Sequence, residues 1–255
     1  MNQARFAYAQ ARLQARHGLR PPEAVWRRLA SSGDLANYLG AARRTPLGPW
    51  VEGIQSADTS HVLETHLRQQ FRRYVESVAH WLPVEWRACI NWVRHLPDLP
   101  ALLFLLQAEQ APGWMRNDAD LGEFTIDRKS AVSDTLFGSD RAYLGKARQE
   151  GIPLYDAWYE QWQRLWPAKS KLQSGLIHLG RLVRQHLHDE QTVALPATGH
   201  RQEILAAELN AAFRRYSFKP AAACAHLGLV ALDLQRLRGE LAHRALFEET
   251  TAVQA

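Results

Sequence analysis

The stretch from Cys224 to Leu241 overlays without a gap on the stretch from Cys89 to Leu106. The overlay sets Cys89 on Cys224, Asp98 on Asp233, Leu99 on Leu234, Leu102 on Leu237 and Leu106 on Leu241. Self-similarity of this kind constrains a chain more than any local motif, because it points to a scaffold made by repetition. A third copy is read at Ile177 to Leu182, where His178 stands in the place of the Asp. Small helical units of this sort cannot bury an apolar face alone, so neighbours must share a core. Amphipathic helices also share leucine spacing by default, which is the competing explanation of the match.

The spacing predicts an all-α helical bundle of three pseudo-repeated helical units: residues 1–110, a degenerate unit at 111–190, and 191–255, folding as one cooperative domain. Phe6, Ala9 and Leu13 recur at helical spacing before Gly18, a helix stop. Pro21-Pro22-Glu23 opens a helix through Trp26 and Leu29, and Asp34 caps another through Leu35, Tyr38 and Leu39. From Asp58 a long helix runs to Trp81 with Val62, Leu63, Leu67, Phe71, Tyr74, Val75 and Val78 on one face. A further helix is expected from Val84 to His95, then a turn at Pro97-Asp98-Leu99-Pro100. Ala111 to Gly122 reads as a long connection, followed by short helices around Leu136 and Tyr143. Trp158, Trp162 and Trp166 then lie four residues apart, a packing stripe with no Lys or Arg interleaved on its face for base stacking. No segment alternates at period two, so no sheet is expected.

Nine Trp and 46% hydrophobic residues in 255 supply a sizeable core. The formal charge of +5 and pI near 9.4 suit an acidic partner, an anionic membrane surface or nucleic acid. Before residue 50, Arg5, Arg12, Arg16, Arg20, Arg27, Arg28, Arg43 and Arg44 face only Glu23 and Asp34, which makes that end a contact face or a set of solvated helix sides. The two cysteines sit in apolar helical patterns with no Cys-x-x-Cys spacing, as befits a reducing cytoplasm. The start has no long apolar signal core, and Ala101 to Leu106 is too short to span a bilayer.

Familiar catalytic spacings are missing, including every Gly-rich phosphate loop, the nucleophile elbow and His-Glu-x-x-His. Asp118, Asp120, Gly122 and Glu123 fail as a calcium loop because the Gly comes one place early and no Glu fills the last ligand position. In the run His186-Leu187-His188-Asp189-Glu190 adjacent residues diverge in direction on a helix, so it is not read as a preformed metal face. No catalytic residue, cofactor or metal is therefore expected.

The opening from Phe6 to Gly18 resembles the Tyr-x-x-Ala-Arg-hydrophobic-x-Ala-x-x-Gly start of the C/d subunits of archaeal-type and vacuolar-type (A/V-type) rotary ATPases. The break from Tyr38-Leu39 to Thr45-Pro46 looks like the same family's next signature, and Pro220 to Arg238 resembles its closing helix pair. The chain is shorter than typical members and lacks the family's Asn at Asp98-Leu99-Pro100. The resemblance implies a shortened bacterial, non-catalytic central-stalk adaptor, a funnel seating the rotor shaft subunits on the proteolipid ring and transmitting torque for proton or sodium transport. It would be cytoplasmic and peripheral on the inner face of the cell membrane. Arg12, Arg16, Arg43, Arg44, Arg214, Arg215, Arg236 and Arg238 are its candidate partner-binding residues. A free-standing scaffold of the same fold is a second reading. The third takes Ala221 to Arg238 as a helix-turn-helix regulator reading DNA through Gln235, Arg236 and Arg238, although Val230, Ala231 and Leu232 occupy the positions that should enter the groove.

Overall fold

The computed structural model describes residues 2–107, 112–118, 121–122, 147, 150–168, 170–192 and 198–253, and among them every regular element is a helix. The helices expected around Leu136 and Tyr143 lie outside the described residues, as does the boundary at 110/111. The protein is thus an all-α bundle.

Helix α1 (Asn2–Gly18) turns Phe6, Ala9 and Leu13 into the core. Helix α2 (Glu23–Ala30) follows the Pro pair and buries Trp26 and Leu29. Helix α3 (Leu35–Ala42) starts where the Asp34 carboxylate accepts the Asn37 amide at 2.7 Å, satisfying a donor that the first turn leaves without a backbone partner. After the short α4 (Gly48–Val51), α5 (Ser60–Trp81) crosses the molecule and buries Leu63, Leu67, Phe71, Val75 and Val78. Val62 departs from the expected face and is exposed, because it stands about 100° round the helix from Leu63, on the side away from the buried row.

Helix α6 (Val84–Asn91) is shorter than expected. The chain tightens into a 3-10 helix over Trp92–Asp98 and then resumes as α7 (Leu99–Gln107). No open turn interrupts it at Pro97 to Pro100. Pro97 removes a backbone donor and crowds the preceding residue, which disfavours α geometry there, whereas Pro100 stands in the first turn of α7, where its missing amide costs nothing. Helices α8 (Gly113–Asn117), α9 (Leu154–Arg164), α10 (Gln173–Thr192) and α11 (Thr198–Arg215) follow. Trp158, Trp162 and Trp166 are buried, and the Trp162 indole donates to the Cys89 carbonyl at 2.8 Å. The tryptophan stripe is a packing face, as its spacing predicts.

The last helix, α12 (Pro220–Val253), decides the architecture. Its first turns are almost wholly apolar, with Ala221 to Ala225, Leu227 and Leu229 buried, and it packs on α1, α3, α5, α6, the 3-10 segment, α10 and α11. Burying each such leucine contributes about 1.5–3 kcal/mol. Two expectations are corrected by this helix. Asp233 lies in the middle of it, whereas Asp98 closes a 3-10 helix, so the two overlaid stretches have unlike local structure. And the Ala221 to Arg238 stretch contains no turn, because Gly228 sits inside the continuous helix against Leu209 and gains its place from close packing, not from chain reversal.

Candidate functional site

One stripe of α12 carries Asp233, Arg236, Glu240 and Arg244, each about one turn from the next, and faces the loops that flank α2. Arg20 holds Asp233 with two bonds of 2.7 and 2.9 Å, and Arg236 holds Glu23 with two of 2.6 and 3.0 Å while lying over Trp26. Arg244 donates to the Ser32 carbonyl at 3.1 Å and to Glu240 at 2.8 Å, and covers the ring of Tyr38. These pairs bind the N-terminal loops to the last helix. Arg236 is therefore an internal tie, and Arg238 pairs with Glu64 at 3.4 Å.

The other arginines singled out by the sequence are dispersed. Arg12 lies over Tyr8 and Trp81, Arg43 donates to the Ile54 carbonyl, and Arg215 lies over Tyr216. Arg44 and Arg214 are exposed. The structure does not gather all eight into one patch. It does place Arg16 in a cleft of about 480 Å³ between α1, the segment Thr45 to Trp50, α5 and α12. Arg20 and Arg73 also line it, together with Gln70, Tyr74 and Trp50, and the sole carboxylate among its lining residues is Asp233, already clamped by Arg20.

Beneath this cleft is a cluster of rings. The Tyr74 hydroxyl lies 2.7 Å from Nε2 of His226, which is fully buried, and His17 stacks on Phe213 with centroids 4.2 Å apart. Burial, with His17, Arg20 and Arg16 adding to it, lowers the pKa of His226 to about 3. Burial lowers His17 as well, assisted by Arg20 and Arg214, and burial then Arg73 lower His66. Tyr74 is pushed the other way by burial, to about 12. The imidazoles around the cleft are thus neutral and the arginines supply its charge.

A second, charged cluster is structural. Arg68 is buried in α5 and pairs with Asp118, whose other oxygen accepts the Leu121 amide at 3.0 Å, and Thr65 donates to the same carboxylate at 2.8 Å. Arg72 reaches both oxygens of Asp98 at 2.7 Å. The acidic segment tested as a calcium loop therefore spends Asp118 on an internal ion pair, and no three His, Cys, Asp or Glu stand together as a metal set among the described residues. No described helix is long and apolar enough to cross a membrane.

Sequence reasoning found Arg16 and the excess of arginine, and missed Arg73, Gln70, Trp50 and the buried His226. A histidine inside the otherwise apolar run from Ala221 to Leu229 is the signal that was available for the last of these. The chain matches no family model, no curated protein and no solved structure.

Proposed function

We propose that the protein is a non-catalytic central-stalk adaptor of a V/A-type rotary ATPase, seating the rotor shaft on the proteolipid ring and transmitting torque. The observation that carries this reading is the role of the opening segment. The residues from Phe6 to Gly18 that resemble the start of the C/d subunits form α1, and α1 packs on both α5 and α12. The segment therefore joins the beginning, middle and end of an all-helical body. A torque-bearing socket requires such stiffness, and ties of the kind made by Arg20, Arg236 and Arg244 between distant parts of the chain add to it. The helix-turn-helix reading loses its support with the continuity of α12, and Arg236 and Arg238 are engaged internally.

The tagged full chain, expressed in its own cells and recovered at low salt, is expected to bring shaft and ring subunits of a rotary ATPase with it. Raised salt should weaken the association, because screening shortens the reach of the exposed arginines. Recovery of a specific DNA site and no ATPase subunit would refute the adaptor reading.

A further inference from the structure

We infer that the cleft between α1, the Thr45 to Trp50 segment, α5 and α12 binds a small organic phosphate, a phosphate monoester held by Arg16 and Arg73 with a planar apolar body laid against Trp50. The inference stands apart from the adaptor reading and rests on the balance of groups in the cleft.

Three guanidinium groups line it and one carboxylate does. Arg20 and Asp233 satisfy each other in a two-bonded pair, so that pair contributes little net charge. Arg16 and Arg73 make no ion pair among the described residues, and both are solvent-exposed at the cleft. A ring of neighbouring side chains that carried compensating charge would have removed the need for a ligand. Instead the adjacent imidazoles of His17, His66 and His226 are neutral, and no second acid is present in the lining. The cleft is an uncompensated positive field beside low-dielectric walls, which concentrates anions.

The polar inventory narrows the ligand. Thr45 is unavailable, since its hydroxyl donates to the Ala42 carbonyl at 2.7 Å and accepts the Leu47 amide at 3.1 Å. Tyr74 is engaged with His226. That leaves two guanidiniums and the Gln70 side chain, a donor-rich set suited to the several acceptor oxygens of a dianion more than to a single carboxylate. The walls narrow it further. Trp50 packs edge-on against Tyr74, with centroids 5.3 Å apart and planes at 67°, which fixes its indole in place, and Pro46 and Pro49 extend the apolar surface. The cleft volume of about 480 Å³ is that of a small-molecule site.

The test is calorimetric titration of the full chain at low salt with phenyl phosphate, inorganic phosphate and phenylacetate. Phenyl phosphate is expected to bind at one site, about tenfold more tightly than either of the others. Arg16→Ala and Arg73→Ala should each weaken it about tenfold with unchanged melting, because both side chains are exposed. Trp50→Phe, which keeps an aromatic wall, should retain the preference over inorganic phosphate, and Trp50→Ala should abolish it. Arg181→Ala, which removes an exposed guanidinium of α10 outside the cleft, should leave affinity unchanged and serves as the control. The proposal is overturned if phenyl phosphate shows no saturable binding at millimolar concentration, if phenylacetate binds equally well, or if the Arg16 and Arg73 variants bind as the unaltered chain does.

Discussion

His226 shows how much one residue can set. It lies fully buried on α12 with the Tyr74 hydroxyl on Nε2, and burial brings its pKa to about 3. In the unfolded chain an imidazole takes up a proton near pH 6.5, whereas in the folded chain it does not, so acid favours the unfolded state. Stability should be unaffected by this group above pH 6.5 and fall from there toward pH 3, at up to about 1.4 kcal/mol per pH unit. His226→Gln, which retains a polar contact for Tyr74, should flatten the pH dependence of urea unfolding between about pH 7 and about pH 4.5. An unchanged slope would show that His17 or the carboxylates govern acid unfolding. Arg68 presents the complementary case. Replacing it with Leu takes the paired guanidinium away from the buried Asp118 carboxylate, and urea unfolding should show a loss of about 3–5 kcal/mol.

At the scale of elements, close approach of helices outweighs intrinsic preference. A methyl group at Gly175, in the first turn of α10, would lie 2.7 Å from the Ala221 methyl of α12 and 3.1 Å from the Tyr216 ring. Helix propensity alone would favour Gly175→Ala by up to about 1 kcal/mol. Overlap with a short, rigid neighbour should reverse the sign, giving a net loss of about 1–3 kcal/mol. Adding Ala221→Gly opens the contact, so the double variant should recover part of the loss in a double-mutant cycle. Thermal melting of the four proteins measures the coupling, and additive effects would place the two helices farther apart than 2.7 Å implies.

For the whole molecule, α12 is the element that the rest depends on. It touches helices from both ends of the sequence, and its Asp233, Arg236 and Arg244 secure the loops around α2. A chain ending at Lys219 should therefore fail to fold cooperatively, with broad melting by circular dichroism, and its apolar α5 face left uncovered should cause aggregation. In the full chain, tryptophan fluorescence and circular dichroism should report one coincident urea transition. Two separated transitions would divide the molecule into independent units.

Much of the helical content was legible in the sequence, because it depends on local rules. Phe6, Ala9 and Leu13 repeat at one face, the Pro21-Pro22 pair opens α2, Asp34 caps α3, and Trp158 and Trp162 recur with the helical turn. The failures came where distant contacts or backbone geometry compete with pattern. Gly228 reads as a turn signal, yet packing against Leu209 keeps it inside α12, and the two overlaid stretches share leucine spacing without sharing a local structure. Charge was the least legible property of all. Arg16 and Arg236 look alike in a sequence, since each is a long cation on an amphipathic helix. Only tertiary structure put Glu23 beneath Arg236 and gave Arg16 a cleft shared with Arg73, because a charge is spent or left over according to what stands within a few ångströms of it, and residues more than fifty positions apart supply those neighbours.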